Sequence, residues 1–81
     1  MLNSDFSDAK VGDKVTSSKY GYGFIRIIDD KKTAYPIEVE FESTLEWYSL
    51  TGFYHYSNLL PTLFKGHIDP ASFQVSYKTI E

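Results

Sequence analysis

The residues best suited to chemistry are the two histidines, His55 and His67, together with Asp69. A histidine activates a nucleophile or binds zinc only where partner groups converge on it. The chain has no Gly-x-Ser-x-Gly sequence and no cysteine, and these three residues lack the spacing of a recognised metal site. We therefore predict a protein that is not an enzyme and binds neither metal nor cofactor, with both histidines as ordinary loop residues.

Two alternate glycines, Gly21 and Gly23, lie within an aromatic stretch between residues 20 and 24. They look like the start of a phosphate-binding loop. The dinucleotide fingerprint, however, needs a third glycine where Arg26 stands and a helix after it, and the residues that follow are apolar and β-branched. The glycines instead predict a bent or bulged start of a strand, or a close approach of the backbone to a neighbour.

Aromatic side chains exceed what one small core requires, because the chain has seven Tyr, six Phe and one Trp. Some rings must therefore be exposed. One interpretation is amphipathic packing with tyrosine hydroxyls in water. The other is a contact surface, because Tyr and Trp are enriched at interface hot spots. The aromatic candidates for binding are Tyr20, Tyr22, Phe24, Trp47, Tyr48, Tyr54 and Tyr56.

Apolar and acidic side chains alternate strictly between residues 37 and 42. This period of two predicts a strand with one face on the core and one face in water. The inward set is Ile37, Val39 and Phe41, and the outward set is Glu38, Glu40 and Glu42. The acidic face is either an ordinary solvated surface or an anionic patch that binds a basic protein surface, including one that normally holds nucleic acid.

These side chains must be positioned by strands, since no segment has the pattern of a long amphipathic helix. Besides the strand at 37–42, we predict strands near 11–15, 20–28, 45–50 and 61–65, a further alternating segment at 72–77, and a short strand or loop at 53–56. In the segment 45–50 the pattern does not choose between two inward sets. The predicted core is Ile25, Ile27, Ile37, Val39 and Phe41, with Leu63 and Phe64 beside it.

Six short motifs follow one another in a fixed order along residues 11 to 64. They are Val11-Gly12-Asp13-Lys14-Val15, Gly21-Tyr22-Gly23-Phe24-Ile25, Asp29-Asp30, Tyr35-Pro36-Ile37-Glu38-Val39-Glu40-Phe41, Tyr48-Ser49-Leu50-Thr51-Gly52 and Pro61-Thr62-Leu63-Phe64. This order resembles small SH3-like barrel proteins of bacteriophages and prophages. The resemblance implies an all-β, SH3-like barrel of about five antiparallel strands, and no catalytic residue belongs to the pattern.

Length and charge narrow the class of protein further. A chain of 81 residues forms one domain, which we divide into a loose N-terminal arm at 1–10 and a barrel at 11–81 that includes a C-terminal extension. The N-terminus lacks an apolar signal region and no window is long enough to span a membrane, so we expect a cytoplasmic protein, in the host cytoplasm if it is phage-encoded. The net charge of −3 is opposite to that of a typical nucleic-acid-binding protein.

The leading functional hypothesis is a protein-protein interaction module, a phage accessory protein that binds a host protein through the aromatic and acidic surface. In its stronger form the hypothesis makes it an inhibitor, of a host-defence protein for example. The alternative is a nucleic-acid-binding barrel. In that case the bases stack on Tyr20, Tyr22, Phe24 and Trp47, and the phosphates contact Lys14, Lys19, Arg26, Lys31 and Lys32. A third hypothesis is a virion or assembly component.

Overall fold

Five antiparallel strands form one curled sheet in the computed structural model, which describes residues 2–55 and 60–69. The strands are β1 (Lys14–Ser17), β2 (Gly21–Ile28), β3 (Ile37–Phe41), β4 (Leu45–Tyr48) and β5 (Leu63–Lys65), and their order in the sheet is β4-β3-β2-β1-β5. The predicted all-β class with about five antiparallel strands is confirmed, and the sheet is consistent with a small SH3-like barrel. Within the described ranges, no helix is long and apolar enough to cross a membrane.

The alternation in β3 positions the core as predicted. Ile37, Val39 and Phe41 are buried on the concave side of the sheet, and Leu63 and Phe64 of β5 are buried as well. A strand with period two must place alternate residues on opposite faces, so one buried face fixes the register of its neighbours. Among the described residues, the core cluster consists of Phe6, Val15, Ile25, Ile37, Val39, Phe41, Tyr48, Tyr54 and Leu63.

The prediction that Ile27 belongs to the core is wrong, because the side chain is 37% exposed. The pairing of β2 with β3 shifts between Ile25 and Ile27, so that Ile25 lies opposite Val39 and Ile27 lies opposite Glu38. Arg26 is thus the extra residue of a β-bulge. The bulge changes the phase of the alternation and turns Ile27 outward.

The ambiguity in β4 is resolved in favour of the set that contains Tyr48. This side chain is fully buried, whereas Leu45 is exposed. Beyond β4 the chain returns at Tyr54, which forms an isolated bridge with Tyr48. The segment at 53–56 is therefore not a full strand in its described part. Tyr56 and the predicted strand at 72–77 lie outside the described residues.

The N-terminal segment, which the sequence predicts as a loose arm or one short turn, contains a turn after Phe6 and is packed on the sheet. Phe6 is 1% exposed and belongs to the core. Its amide N–H donates to the Leu50 carbonyl at 2.8 Å, and the Asn3 carbonyl accepts from the Lys65 N–H at 2.7 Å. An ion pair between Asp8 and Lys65 lies on the outside of the same contact. A lone apolar residue in a polar segment has no period, so its place in the core could not be read from alternation.

Substitution of Phe6 tests whether the N-terminal segment is part of the folding unit. We expect Phe6→Ala to lower the free energy of unfolding by about 3–5 kcal/mol, because it leaves a ring-sized cavity in the core. Urea unfolding followed by tryptophan fluorescence measures the change. Val11→Ala, at a side chain that is 63% exposed, serves as the control and should change stability by less than about 0.5 kcal/mol. Equal effects of the two substitutions would contradict the assignment of Phe6 to the core.

Candidate functional site: an aromatic and acidic groove

An open groove of about 740 Å³ lies where the start of β2 passes the end of β3. It brings together five of the predicted binding residues, which are Tyr20, Tyr22, Phe24, Glu40 and Glu42. The remaining lining residues are Gly21, Gly23 and Phe41. The aromatic stretch and the acidic strand face, treated as two separate candidate surfaces in the sequence, are therefore two sides of one groove. We call it the aromatic-acidic groove.

The two glycines of the groove are explained by different constraints. Gly21 has a φ of +84°, a left-handed conformation that side chains rarely adopt. Gly23 faces the core side, where an added Cβ would lie 2.7 Å from Cδ1 of Phe41 and 2.8 Å from the Glu40 carbonyl oxygen. The predicted close approach of the backbone is thus present at Gly23. Because Gly23 faces inward, its neighbours Tyr22 and Phe24 face outward.

Tyr22 and Phe24 form the aromatic wall of the groove, and both rings are about half exposed, at 50% and 48%. His67 holds them from the side. Its ring stacks on Tyr22 at a centroid distance of 4.7 Å and meets Phe24 edge to face at 5.3 Å. The Nε2–H of His67 donates to the Gly23 carbonyl at 3.2 Å. This contact fixes both rings against the strand.

The position of His67 depends on residues 66–68, a short segment that crosses the outer side of β1 and that we call the strap. The Thr16 hydroxyl donates to the Gly66 carbonyl at 2.7 Å and accepts from the Ile68 N–H at 2.9 Å. The strap thereby buries Thr16, a polar residue of β1. His67 lies in a loop, as predicted, but its ring also supports the aromatic wall, which the sequence did not indicate. Only the long-range pairing of β1 with β5 brings residue 67 to the groove, and no local pattern signals it.

Glu40 and Glu42 form the acidic side of the groove. Glu40 lies directly opposite Phe24 in the register of β2 and β3. Both carboxylates are exposed, and in the part of the chain that the structure describes neither has a cationic partner. Glu38, the third member of the predicted acidic face, is different. It is only 8% exposed, and the Arg26 guanidinium donates to its Oε1 at 2.6 Å.

Glu38 is thus a correction to the predicted water-facing set. The bulge at Arg26 brings a guanidinium onto the outer side of β3, where Ile27 and Trp47 flank Glu38 on the two neighbouring strands. These neighbours cover the carboxylate, and the ion pair compensates its burial. Glu38 is therefore part of the barrel wall and not of the aromatic-acidic groove.

Trp47 lies away from the groove, in a second and shallower depression of about 440 Å³. The depression is lined by the loop between β2 and β3 and by His55, whose Nδ1–H donates to the Trp47 carbonyl at 3.1 Å. The Lys32 ammonium lies 3.8 Å from the centre of the Trp47 ring. The structure therefore does not join Trp47 to Tyr22 and Phe24 in one surface.

Two of the predicted contact residues, Tyr48 and Tyr54, are buried and belong to the core. Tyr54 anchors a chain of hydrogen bonds behind the groove. Its hydroxyl donates to Oε1 of Glu46 at 2.7 Å and lies 3.2 Å from the hydroxyl of Tyr20. Since the Tyr54 proton is used on Glu46, Tyr20 is the donor in the second bond. These two hydrogen bonds connect the half-buried Tyr20, which lines the groove, to the core.

The buried tyrosines and Glu46 have shifted pKa values with distinct causes. Burial raises the pKa of Tyr48 far above its ordinary value, and burial followed by hydrogen bonds to Tyr20 and Glu46 does the same to the pKa of Tyr54. Burial alone would raise the pKa of Glu46, but hydrogen bonds from Thr44 and Tyr54 outweigh it and hold the pKa below its ordinary value. Glu46 is therefore a charged acceptor in the native state.

The groove itself offers aromatic faces, two carboxylates and bare glycine backbone. In the described residues no group of three or more His, Asp or Glu side chains is arranged to hold a metal ion. His67 is bound to a backbone carbonyl and is not beside a hydroxyl nucleophile. The arrangement supports recognition of a cationic or aromatic group. No protein-family profile, curated protein or solved structure matches the chain.

Removal of the Tyr48 hydroxyl tests its assignment to the core. The hydroxyl oxygen is buried, and no hydrogen bond to it meets normal geometry among the described residues, although the Ser17 side chain lies close to it. We expect Tyr48→Phe to keep or raise the free energy of unfolding, by up to about 1 kcal/mol, because an unsatisfied buried polar group is removed without loss of packing. Chemical denaturation measures the effect. A loss of more than about 1 kcal/mol would show that the hydroxyl is hydrogen-bonded in solution.

Removal of the Tyr54 hydroxyl tests the hydrogen bond to Glu46. We expect Tyr54→Phe to destabilise the protein by about 2 kcal/mol at neutral pH, since a half-buried carboxylate loses a donor. A carboxylate whose native pKa is depressed contributes stability above its ordinary pKa and loses it as the pH falls through the native value. The deficit of the variant should therefore shrink below pH 4.5, the ordinary pKa of Glu46.

Urea unfolding at several pH values gives this profile, and Tyr22→Phe is the matched control. The Tyr22 hydroxyl has no partner among the described residues, so its removal should leave stability unchanged at every pH. A deficit of Tyr54→Phe that stays constant from neutral to acid pH would show that Glu46 is not the group stabilised by the hydroxyl.

Proposed function

We propose that the protein is a non-enzymatic interaction module that binds a partner protein through the aromatic-acidic groove. The observation that carries this proposal is the half-exposure of two neighbouring large rings, Tyr22 and Phe24, beside the two unpaired carboxylates Glu40 and Glu42. Aromatic side chains that a small domain leaves in water, rimmed by charge, are typical of protein-binding surfaces. Five other rings are buried, so the fold does not leave its aromatic side chains in water in general.

The aromatic wall is also organised in advance of binding. His67 stacks on Tyr22 and contacts Phe24, and its Nε2–H is fixed on the Gly23 carbonyl. Side chains that are already held in one rotamer lose little conformational entropy when a partner binds. The contacts from His67 therefore favour a binding surface over incidental exposure of the two rings.

Nucleic-acid binding is less well supported than protein binding. The rings that this alternative assigns to base stacking share the groove with Glu40 and Glu42, whose charge repels phosphates. Arg26, one of its phosphate contacts, is paired with Glu38 at 2.6 Å. Lys32 lies on the Trp47 ring, in a separate depression. Arg26 and Lys32 are thus occupied away from the groove, and of the proposed phosphate contacts only Lys14, opposite Phe24, and Lys19, over Tyr20, lie beside the groove rings.

The more specific parts of the hypothesis rest on the sequence alone. These are a bacteriophage origin, the inhibition of a host protein, a cytoplasmic location and, as a competing role, assembly into a virion. They stay predictions, and the proposal needs none of them. It requires only that the groove contact a protein.

Site-specific photo-crosslinking tests the proposal directly. With p-benzoylphenylalanine in place of Phe24, we expect adducts to a discrete protein partner in bacterial cells, because the photoreactive ring replaces a ring in the aromatic wall. Mass spectrometry identifies the adducts. A second variant carries Glu40→Gln together with the photoreactive group and should give fewer adducts, by about fivefold, since a charge at the contact is removed.

The control is the same photoreactive residue in place of Val11, which is also a largely exposed apolar side chain but lies outside the groove. Adducts formed at this position measure nonspecific contact with other proteins. If the two positions give the same adducts in equal amounts, or if the position of Phe24 gives none, the groove does not bind a protein and the proposal is wrong.

A further inference from the structure

Three cations of this chain are already held by the same kinds of groups that line the groove. The Arg26 guanidinium lies on the carboxylate of Glu38 at 2.6 Å. The Lys32 ammonium lies 3.8 Å from the centre of the Trp47 ring, and the Lys19 ammonium lies 5.3 Å from that of Tyr20. Carboxylates and aromatic faces both attract cations, the first by charge and the second by the ring quadrupole. On the outer surface the chain thus supplies cations to Glu38, Trp47 and Tyr20.

On the outer side of the aromatic-acidic groove, the described residues place no cation on Tyr22, Phe24, Glu40 or Glu42, and Lys19 lies only over the inner ring, Tyr20. Within residues 2–55 and 60–69, no lysine, arginine or histidine forms an ion pair with Glu40 or Glu42, and no ammonium lies over the Tyr22 or Phe24 ring. The cross-strand neighbour of Phe24 on its other side is Lys14. Lys14 is two strand spacings from Glu40, about 9.6 Å, with the Phe24 ring between them.

We infer that the partner bound in the groove supplies the missing cation, as an arginine side chain on an exposed segment of a protein. This inference rests on the proposed function and names the chemistry of the partner. The guanidinium would lie on the aromatic wall of Tyr22 and Phe24 and donate hydrogen bonds to Glu40, with Glu42 as a second acceptor at the rim. Charge favours the encounter as well, because the protein carries a net charge of −3.

Arginine fits this geometry better than lysine. Phe24 and Glu40 are directly opposed on antiparallel strands, so their Cβ atoms are about 5 Å apart and one group can touch both side chains. A guanidinium is planar, so it can stack on a ring while its edge donates two parallel hydrogen bonds to a carboxylate. An ammonium is compact and strongly hydrated, and it has neither the flat face for stacking nor the paired donors for a bidentate bond. An added Cβ at Gly21 would meet nothing within 4 Å, so the backbone there leaves space for the aliphatic stem.

Titration of the whole protein with short synthetic peptides tests the inference. The probes are acetylated and amidated glycine-serine peptides that carry two arginines, two lysines or two citrullines in the same positions. We expect the arginine peptide to bind most tightly, the lysine peptide about threefold to tenfold more weakly, and the citrulline peptide not measurably, because citrulline keeps the shape of arginine without its charge. Isothermal titration calorimetry gives the affinities, and backbone amide NMR shifts should map binding to β2 and β3.

Matched charge variants separate a local contact from the general field of an acidic protein. Glu40→Gln and Asp30→Asn each remove one negative charge, and Asp30 is exposed in the loop beyond the far end of β2. We expect Glu40→Gln to weaken the arginine peptide by about fivefold to tenfold, and Asp30→Asn by less than about twofold. Both variants should keep the wild-type unfolding midpoint, because both carboxylates are exposed and unpaired.

Several results would overturn the inference. Equal binding of arginine and citrulline peptides, equal loss in Glu40→Gln and Asp30→Asn, or binding of spermidine as tight as that of the arginine peptide would each show that no guanidinium site exists. If a protein is crosslinked at Phe24 and the arginine peptide nevertheless fails, the groove binds a protein by other chemistry and only this inference is wrong. If the peptide binds and no protein is crosslinked, the proposed function fails instead.

Discussion

The close approach of the Gly23 backbone to the Phe41 ring is the contact on which the site depends. A Cβ at residue 23 would lie 2.7 Å from Phe41 Cδ1 and 2.8 Å from a backbone oxygen, so β2 and β3 can pack in this way only with a glycine there. The inward glycine fixes the phase of β2 and so turns Tyr22 and Phe24 to the outside. It also leaves its carbonyl available to His67. The absence of a side chain at residue 23 thus allows β2 to pack closely on β3, turns Tyr22 and Phe24 outward, and leaves a carbonyl for His67.

The outer face of the sheet differs from the groove in how its charges are compensated. Where β2, β3 and β4 run side by side, the bulge at Arg26 brings a cation to Glu38, and Lys32 covers Trp47. Each cation lies against its partner, and Glu38 is almost fully buried in that region, which is an ordinary barrel wall. Toward the groove the same strands continue with Glu40 and Phe24, and among the described residues no cation is paired with either of them. The barrel wall and the groove therefore contain the same types of residue, and they differ in whether a cation is paired with those residues.

Local patterns in the sequence were sufficient where the structure is local. The alternation at 37–42 correctly identified Ile37, Val39 and Phe41 as core residues, and the paired glycines correctly indicated a close approach. The failures are long-range. A bulge reversed the phase at Ile27, the pairing of β1 with β5 brought His67 to the groove, and Phe6 entered the core from a segment without periodicity. None of these contacts can be recognised from the types of the neighbouring residues in the sequence.

Part of the aromatic excess that first suggested a binding surface is buried in the core, and this sharpens the functional argument. Phe6, Phe41 and Phe64 are buried, and Tyr48 and Tyr54 are buried as well. Tyr54 is accommodated because Glu46 accepts its proton, so the interior can take a ring with a polar end when an acceptor is provided. The fold therefore buries rings readily. Tyr22 and Phe24 nevertheless stay exposed, on a strand face that His67 supports and Glu40 opposes. This is a local arrangement, and composition alone could not distinguish it from a general surplus of aromatic residues.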